Sequence, residues 1–248
     1  TDGEIRSRQA LTPGKEGMCV FEYVYFARTD SVMEGLSVYD ARIRMGEALY
    51  REHPIEADIV CGVPDSGTEA AMGYARAGNL PFAPGFVKNR YIGRSFIFPS
   101  QQQRDAAVRL KLNPLVRNVR GKRVVMVDDS IVRGTTSRRT VALLRAAGAK
   151  EVHLLVSSPP FRYECHFGTD IDSAENLIAN RMSVEETAAF IGADSVGYLS
   201  VRGLREACGG CRLGLCLGCF DGEYPVSPGH HTKFELEAGQ IHKEGDLS

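Results

Sequence analysis

The sequence has no long apolar run and no excess of charge of either sign. No stretch approaches the ~20 apolar residues that cross a bilayer, and nothing at its start resembles a secretory leader. Thirty Lys and Arg residues against 31 Asp and Glu residues give a net charge of −1, which argues against a large polyanion-binding surface. We therefore expect neither a membrane nor a nucleic acid as a partner.

The composition also lacks the features of disordered and fibrous chains. Hydrophobic residues make up 43% and charged residues 25% of the 248 positions, as in ordinary globular proteins. The length fits one large domain, or one domain with an appendage. The seven cysteines are an odd number and four of them lie between positions 208 and 219, which is typical of a metal or cluster site in a reducing compartment. We therefore expect a cytoplasmic protein.

Apolar strand-like runs alternate with helical patterns along the chain. In chain order, the predicted strands are 19–26, 58–63, 123–127 and 151–156, and the predicted helices are 37–52, 68–76 and 137–147. Strands and helices in this order predict an α/β fold with a parallel sheet flanked by helices. Ligands bind such sheets at the carboxyl ends of the strands, so we expect the chemistry in the loops 64–67 and 128–136.

The most informative stretch is 124–137, which reads VVMVDDSIVRGTTS. A core strand delivers two adjacent carboxylates, Asp128 and Asp129, which suit ribose hydroxyls or Mg²⁺. Gly134 lets the backbone approach a ligand closely, and the N–H groups of the helix start form an anion site. Hydroxyl donors follow at Thr135, Thr136 and Ser137. Helix capping alone would account for the hydroxyls but not for the acid pair, so the stretch predicts a sugar-phosphate site.

This stretch resembles the fingerprint with which type I phosphoribosyltransferases bind phosphoribosyl pyrophosphate (PRPP). In its DDSIVRGTTS form it resembles the glutamine PRPP amidotransferase family, and four cysteines elsewhere in the chain resemble those of its iron–sulfur-containing branch. Further matching segments read FEYVYFAR at 21–28, GVPDS at 62–66, KNRYIGR at 88–94 and VRLKL at 108–112. Together the matching segments extend over about residues 19 to 220.

The resemblance implies the type I phosphoribosyltransferase fold, which is Rossmann-like, with a cysteine-rich C-terminal tail. It also implies a glycosyltransferase that transfers ammonia to PRPP, giving 5-phosphoribosylamine and pyrophosphate in the first step of purine biosynthesis. A non-catalytic PRPP-sensing module of the same fold is the alternative. A phosphoribosyltransferase acting on a nucleobase is favoured less, because no base-stacking segment stands out.

The resemblance also assigns residues to the substrate and to Mg²⁺. The ribose hydroxyls and 5-phosphate of PRPP are expected at Asp128, Asp129, Ser130, Arg133, Gly134, Thr135, Thr136 and Ser137. The turn formed by Pro64, Asp65 and Ser66 would present backbone amides to the pyrophosphate. The positions associated with Mg²⁺ are Ser66, Asp128 and Asp129.

The matching segment 88–94 forms a cationic loop. By composition it is a solvated face or a nucleic-acid patch, whereas the resemblance implies a lid that closes over PRPP and excludes water. Its expected catalytic residues are Lys88, Arg90, Tyr91 and Arg94, and the match extends through Pro99, Gln101, Arg104, Arg109 and Lys111. Ammonia brings its own lone pair, so we expect no Ser-His-Asp or Cys-His machinery.

The cysteines allow two different sites. Cys208, Cys211, Cys216 and Cys219 form a pair of C-x-x-C motifs, which suggests zinc, although the gap of four residues between them is short. The resemblance instead implies a structural [4Fe–4S] cluster held by Cys19, Cys165, Cys216 and Cys219. In the plainest alternative, Cys19 and Cys165 are free core thiols. The resemblance gives no role to Cys208 and Cys211, and Cys61 lies in an apolar strand where packing alone accounts for it.

The domain organisation follows from the same comparison. Residues 1–18 are expected to be a linker, 19–205 the phosphoribosyltransferase domain, and 206–248 a cysteine-rich cluster-binding segment with a polar tail. Members of the family carry an N-terminal glutaminase domain that this chain does not include, so its ammonia would be free or come from glutamine through a missing domain or subunit. The family also implies a homo-oligomer, expected to be a tetramer, and inhibition by purine nucleotides.

Overall fold

The computed structural model describes residues 3, 16–89, 112–169, 171 and 173–226. The strands are β1 (Met18–Cys19), β2 (Val32–Met33), β3 (Leu36–Ser37), β4 (Ile59–Gly62), β5 (Phe86–Lys88), β6 (Leu112–Pro114), β7 (Arg123–Asp128), β8 (Glu151–Val156), β9 (Ser195–Tyr198) and β10 (Leu215–Cys216). The helices are α1 (Val38–Glu52), α2 (Thr68–Gly78), α3 (Val116–Val119), α4 (Thr135–Ala146), α5 (Ile178–Arg181), α6 (Val184–Ile191), α7 (Val201–Ala207) and α8 (Gly218–Asp221). A π-helical turn, Glu22–Phe26, is called the π-turn below, and a 3₁₀ turn spans Ala174–Asn176. No helix in these ranges is long and apolar enough to span a membrane.

The central sheet has four parallel strands in the order β4-β7-β8-β9, which confirms the predicted parallel α/β fold. Successive residues of a strand point to opposite faces, and both faces here are buried. Val125 and Val127 pack into a core with α1 and α2, whereas Val124 and Met126 pack into a second core with α4 and α6. This arrangement explains why the strands read as continuous apolar runs rather than as alternating ones.

The predicted strand 19–26 is wrong for most of its length. Strand β1 ends at Cys19, and the π-turn Glu22–Phe26 follows. Neighbouring Tyr23 and Val24 are both buried, whereas Tyr25 and Phe26 are about half exposed, so the side chains do not alternate between two faces. Backbone carbonyls of the turn accept hydrogen bonds from a side chain of α1 rather than from a neighbouring strand. Aromatic content gave the segment its strand-like appearance, and tertiary contacts decided otherwise.

The other predicted elements are present, and all but the strand 151–156 have ends shifted by one or two residues. The hydroxyl of Ser37 accepts a hydrogen bond from the Asp40 N–H at 3.2 Å and caps α1. Helix α2 extends to Gly78, and its C-cap is Asn79, which has a left-handed φ of 49°. Helix α4 begins two residues earlier than predicted, because Gly134 rather than a hydroxyl residue is its N-cap. The two threonines of the predicted phosphate loop therefore belong to the first turn of a helix.

The cysteine-rich segment packs onto the sheet domain instead of extending away from it. Strand β10 pairs in parallel with β1, and Cys19 is directly opposite Cys216. The ring of Phe220 stacks on Phe161 with centroids 4.9 Å apart. The first and last described parts of the chain are thereby joined beside the carboxyl end of the sheet. Cys61 is fully buried in β4, and burial raises the pKa of its thiol to about 12, as expected of a packing residue.

Candidate active site

A cavity of about 1100 Å³ lies at the carboxyl ends of β4 and β7. Among the residues predicted from the sequence, it is lined by Pro64, Asp65, Ser66, Lys88, Asp128, Asp129 and Thr136. A second cavity of about 550 Å³ shares the two aspartates and is lined by the predicted residues Ser130, Arg133, Gly134, Thr135, Thr136 and Ser137. Both loops singled out in the sequence therefore meet at one edge of the sheet, where ligands of parallel α/β folds bind.

Asp128 and Asp129 are the buried acids of this site, with 7% and 8% of their surfaces exposed. The backbone N–H of Asp129 donates to Asp128 Oδ1 at 3.0 Å. The two oxygens of Asp129 accept hydrogen bonds from the hydroxyls of Ser130, at 2.5 Å, and of Ser66. The turn after β4 and the loop after β7 are thus joined by a direct hydrogen bond between Ser66 and Asp129.

Burial disfavours the ionised form of both carboxyls. Burial, followed by the neighbouring charge of Asp129, raises the pKa of Asp128 well above its usual range. Burial also raises the pKa of Asp129, although the hydroxyls of Ser130 and Ser66 and the charge of Arg42 oppose that rise. A buried acid pair of this kind is stabilised by a cation or by donor groups of a ligand, which is consistent with a binding site.

The start of α4 supplies the anion-binding geometry. Gly134 caps the helix with a φ of 76°, and a Cβ at this position would lie 2.6 Å from Ile178 Cδ1. Thr135 and Thr136 are exposed in the first helical turn, and Ser137 is buried. The first N–H groups of a helix have no partner within it and carry the positive end of its dipole. These groups line the second cavity and can bind a phosphate there.

The turn after β4 packs directly against β7. The Gly67 N–H donates to the Val63 carbonyl at 3.0 Å, and a Cβ on Gly67 would come within 2.4 Å of the Val127 carbonyl oxygen. The Lys88 ammonium forms an ion pair with Asp65 at the mouth of the cavity. Of the expected lid residues, Lys88 is thus placed at the site. Arg90, Tyr91, Arg94, Pro99, Gln101, Arg104, Arg109 and Lys111 lie outside the described residues.

Sequence reasoning did not assign one wall of the larger cavity. Residues 25–30, from the end of the π-turn into the loop before β2, line it together with Arg42 and Arg139. The resemblance includes the segment 21–28 but implies no role for it. A signal for Arg42 was present in α1, because this arginine stands among the apolar positions 38, 41, 45 and 49 on the buried face of the helix.

Four of the cysteines lie near one another beside this site. Cys19 and Cys216 are strand partners, and Cys219 is in the first turn of α8, where its carbonyl accepts from the Arg162 and Tyr163 N–H groups. Burial, followed by the nearby thiols of Cys19, Cys165 and Cys216, raises the pKa of Cys219. The Thr169 N–H donates to the sulfur of Cys165 at 3.4 Å. The structure therefore groups the four cysteines that the resemblance had selected.

The remaining two cysteines form a separate pair. Cys208 is buried at the end of α7, and its carbonyl accepts from the Cys211 N–H at 3.0 Å. Both thiols lie near Tyr23; burial, followed by Cys211 and Cys208, raises the pKa of the Tyr23 phenol. In the part of the chain that the structure describes, no three His, Cys, Asp or Glu side chains are arranged to hold one metal ion. The zinc interpretation of the C-x-x-C motifs therefore gains no support.

The family profile described as "Phosphoribosyl transferase domain" matches residues 29–159, which include both loops of the site. The chain belongs to this family. Among curated proteins, it is 53% identical to the amidophosphoribosyltransferase of Archaeoglobus fulgidus over 235 residues, covering 94% of this chain and 51% of that protein. It is 52% identical to that of Methanothermobacter thermautotrophicus over 208 residues, covering 84% of this chain and 44% of that protein.

A solved structure shows the same fold. The glutamine PRPP amidotransferase from B. subtilis, complexed with ADP and GMP, superposes with a TM-score of 0.82 at 48% identity. The match covers 94% of this chain and 52% of the B. subtilis chain. The present chain thus spans about half the length of the curated relatives it matches, and it is similar in that half to amidophosphoribosyltransferases.

Proposed function

We propose that this chain is the phosphoribosyltransferase half of an amidophosphoribosyltransferase. It binds PRPP and transfers ammonia to C1 of the ribose, giving 5-phosphoribosylamine and pyrophosphate for purine biosynthesis. The observation that carries this proposal is the hydrogen bond from Ser66 to Asp129, because it joins the turn suited to pyrophosphate to the loop suited to ribose 5-phosphate. The similarity to amidophosphoribosyltransferases over 94% of the chain supports the choice of nucleophile.

Each part of PRPP has a group to bind it in this arrangement. The 5-phosphate accepts hydrogen bonds from the N–H groups and hydroxyls at the start of α4, and the ribose hydroxyls donate to Asp128 and Asp129. The pyrophosphate lies along the turn 64–67 within reach of Lys88, whose charge stabilises the leaving group. Because ammonia already carries a lone pair, positioning and exclusion of water are the main requirements.

Mg²⁺ fits the same acids. Mg²⁺ binds through one or two carboxylates together with substrate phosphates and waters, and Asp128 and Asp129 are two buried carboxylates that repel each other. The Ser66 hydroxyl donates a hydrogen bond to Asp129, one of the two carboxylates. When bound, the ion would neutralise charge on the pyrophosphate, while the protein residues hold the ribose and orient C1 toward ammonia.

A [4Fe–4S] cluster is the second proposed cofactor, held by Cys19, Cys165, Cys216 and Cys219. Each thiolate of such a cluster binds a different iron, so the sulfurs surround the cluster instead of converging on one ion. The mutual approach of these thiols supports this role. Bound there, the cluster would connect β10 and α8 to β1 and to the loop that contains Cys165. Iron and sulfide assays after anaerobic purification test this proposal, and colourless protein with stoichiometric zinc would contradict it.

Purine nucleotides are proposed inhibitors of the enzyme. Glutamine is the proposed indirect source of the ammonia. The proposed assembly is a homo-oligomer, expected to be a tetramer. The B. subtilis relative is complexed with ADP and GMP, which supports the first of these proposals. Adding purine nucleotides to the ammonia-dependent assay described below tests for inhibition. Light scattering at a defined protein concentration measures the mass of the assembly.

The function is tested by measuring pyrophosphate released from PRPP with Mg²⁺ and an ammonium salt. The wild-type chain is expected to release pyrophosphate, and Asp128→Ala is expected to lose this activity. Asp58→Ala is the matched control, because Asp58 is an exposed acid paired with Arg123 at the amino end of β7. Binding of PRPP without turnover would indicate the sensing module instead, and absence of both would contradict the proposal.

A further inference from the structure

Arg42 is the one Lys or Arg side chain that is buried within the described residues, with 4% of its surface exposed. It lies in α1, which contributes no residue to the two loops of the proposed PRPP site. A buried charge is costly unless its hydrogen-bonding groups have partners. The partners of this guanidinium therefore show what the fold uses the charge for.

One side of the guanidinium binds the chain that leads into the cavity wall. Arg42 Nε donates to the Tyr23 carbonyl at 2.9 Å, and Nη2 donates to the carbonyls of Tyr25 and Ala27 at 3.2 and 2.9 Å. Carbonyls at the end of a helical turn have no partners within it, and a positive charge there is favourable. Arg42 thus determines the path of the backbone through the end of the π-turn.

The other side of the guanidinium contacts Thr29, in the same wall, and Glu69 of α2. Nη1 donates to Thr29 Oγ1 at 3.1 Å and lies 3.6 Å from Glu69 Oε2. Because a guanidinium only donates and a carboxylate only accepts, the Thr29 hydroxyl donates to Glu69 Oε1, at 3.1 Å. Glu69 is in the first turn of α2, directly after the turn 64–67.

The three residues Arg42, Thr29 and Glu69 form what we call the Arg42 clamp. The clamp joins the wall 25–30 to α2, the helix that directly follows the turn 64–67. The wall 25–30 and residues 64–66 of that turn both line the larger cavity. We propose that Arg42 is a positioning residue that keeps these two sides of the PRPP site in a fixed relation. This inference rests on the proposed function, since it concerns how the pocket for that substrate is held.

The first test replaces the guanidinium and keeps the charge. Arg42→Lys retains a cation but cannot reach three carbonyls, a hydroxyl and a carboxylate at once. We expect the KM for PRPP in ammonia-dependent pyrophosphate release to rise about tenfold or more, as for the loss of charge-assisted hydrogen bonds, with kcat changed much less. Arg51→Lys, an exposed position on the same helix, is the control and should keep the wild-type KM.

The second test removes one partner of Arg42 in each of the two segments that the clamp joins. Thr29→Val deletes the hydroxyl with little change of shape, and Glu69→Gln deletes the charge. If the clamp acts as a unit, each variant raises the KM for PRPP and the double variant raises it no further than the larger single effect. These two variants also keep the proposal testable if Arg42→Lys does not fold.

The outcomes separate positioning from plain stabilisation. A residue that only stabilised the fold would lower the midpoint of thermal unfolding and leave the KM of the folded protein unchanged, which would overturn the proposal. Single effects on the KM that multiply in the Thr29–Glu69 double variant would overturn it as well. If the wild-type chain binds PRPP without turnover, calorimetric dissociation constants for PRPP replace the KM. If it neither turns over nor binds PRPP, the proposed function fails, and the clamp with it.

Discussion

At the scale of single residues, the buried acid pair trades stability for binding. Asp128→Asn removes a buried charge and its repulsion with Asp129, so we expect the midpoint of thermal unfolding at neutral pH to rise by roughly 2–4 °C for each kcal/mol recovered. The same change should lower ammonia-dependent pyrophosphate release about 100-fold, because the ribose and the cation lose a ligand. Differential scanning calorimetry and the activity assay measure both effects.

The control for this prediction is an acid in the opposite situation. Asp58 is exposed and bonded to Arg123, which lowers the pKa of the Asp58 carboxyl. Asp58→Asn should therefore lower the unfolding midpoint slightly and leave the activity unchanged. An unchanged or lower midpoint in Asp128→Asn would contradict the view that the pair is destabilised by burial.

A pH dependence of stability follows from the same pair. In the unfolded chain these carboxyls ionise near the ordinary aspartate pKa of 3.8, whereas the folded pair keeps protons to higher pH because both pKa values are raised. Between the pKa of the unfolded carboxyls and the raised pKa values of the folded pair, the folded state binds more protons than the unfolded state. The contribution of the pair to stability therefore falls as the pH rises. The difference in unfolding free energy between Asp128→Asn and the wild type should grow from pH 4 upward in urea titrations. A pH-independent difference would contradict the raised pKa values.

The residues of the site differ in how far they could be predicted. Two acids directly after a core strand, followed by Gly-Thr-Thr-Ser, indicate a phosphate site by local chemistry alone. The contact of Ser66 with Asp129 spans 63 positions, and only the family resemblance connected the two. The contacts of Arg42 could not be predicted, because they go to backbone carbonyls whose positions depend on the fold.

At the scale of elements, the start of α4 depends on a glycine. Gly134→Ala places a side chain at a φ of 76° and within 2.6 Å of Ile178 Cδ1. The left-handed conformation alone costs about 1–2 kcal/mol, and the contact adds to it. We expect a lower unfolding free energy in urea and a higher KM for PRPP, since the N–H groups that bind the phosphate would shift.

Gly121→Ala separates the two causes of this effect. Gly121 has a φ of 73°, but a Cβ there would meet nothing within 4 Å. Gly121→Ala should therefore lose only the free energy that the left-handed conformation costs, and its KM for PRPP should equal that of the wild type. An equal loss in both variants, with no change of KM for Gly134→Ala, would mean that the shape of the helix start does not matter for binding.

Element types were predicted well where burial on two faces dictated them. The strands 123–127 and 151–156 are mostly apolar, and the structure places them in the centre of the sheet with ends matching to within one residue. The prediction for 19–26 failed because Phe21 packs on the rings of Tyr25 and Phe26 and on Phe161 rather than in a sheet, with the centroids of Phe21 and Phe161 5.2 Å apart. Local pattern could not distinguish these cases, since Phe161 is distant in sequence.

At the scale of the whole molecule, the segment 208–226 packs back onto the rest of the chain. This segment has little regular structure of its own, and short elements such as β10 and α8 are not stable alone. It is held to the domain by pairing with β1 and by the Phe161–Phe220 stack. The grouping of cysteines from three separate parts of the chain could not be derived from spacing, which had favoured the four C-terminal cysteines.

Removing the proposed cluster should therefore release this segment and leave the sheet folded. After anaerobic chelation of iron, limited proteolysis is expected to cut within 208–226, while the circular dichroism of the α/β domain persists. Cys216→Ser should show the same cleavage without chelation and bind less iron. Cys211→Ser is the matched control, because Cys211 lies in the same segment but near Tyr23, and its iron content should equal that of the wild type. Equal protection of the segment with and without iron would mean that strand pairing and aromatic stacking hold it unaided.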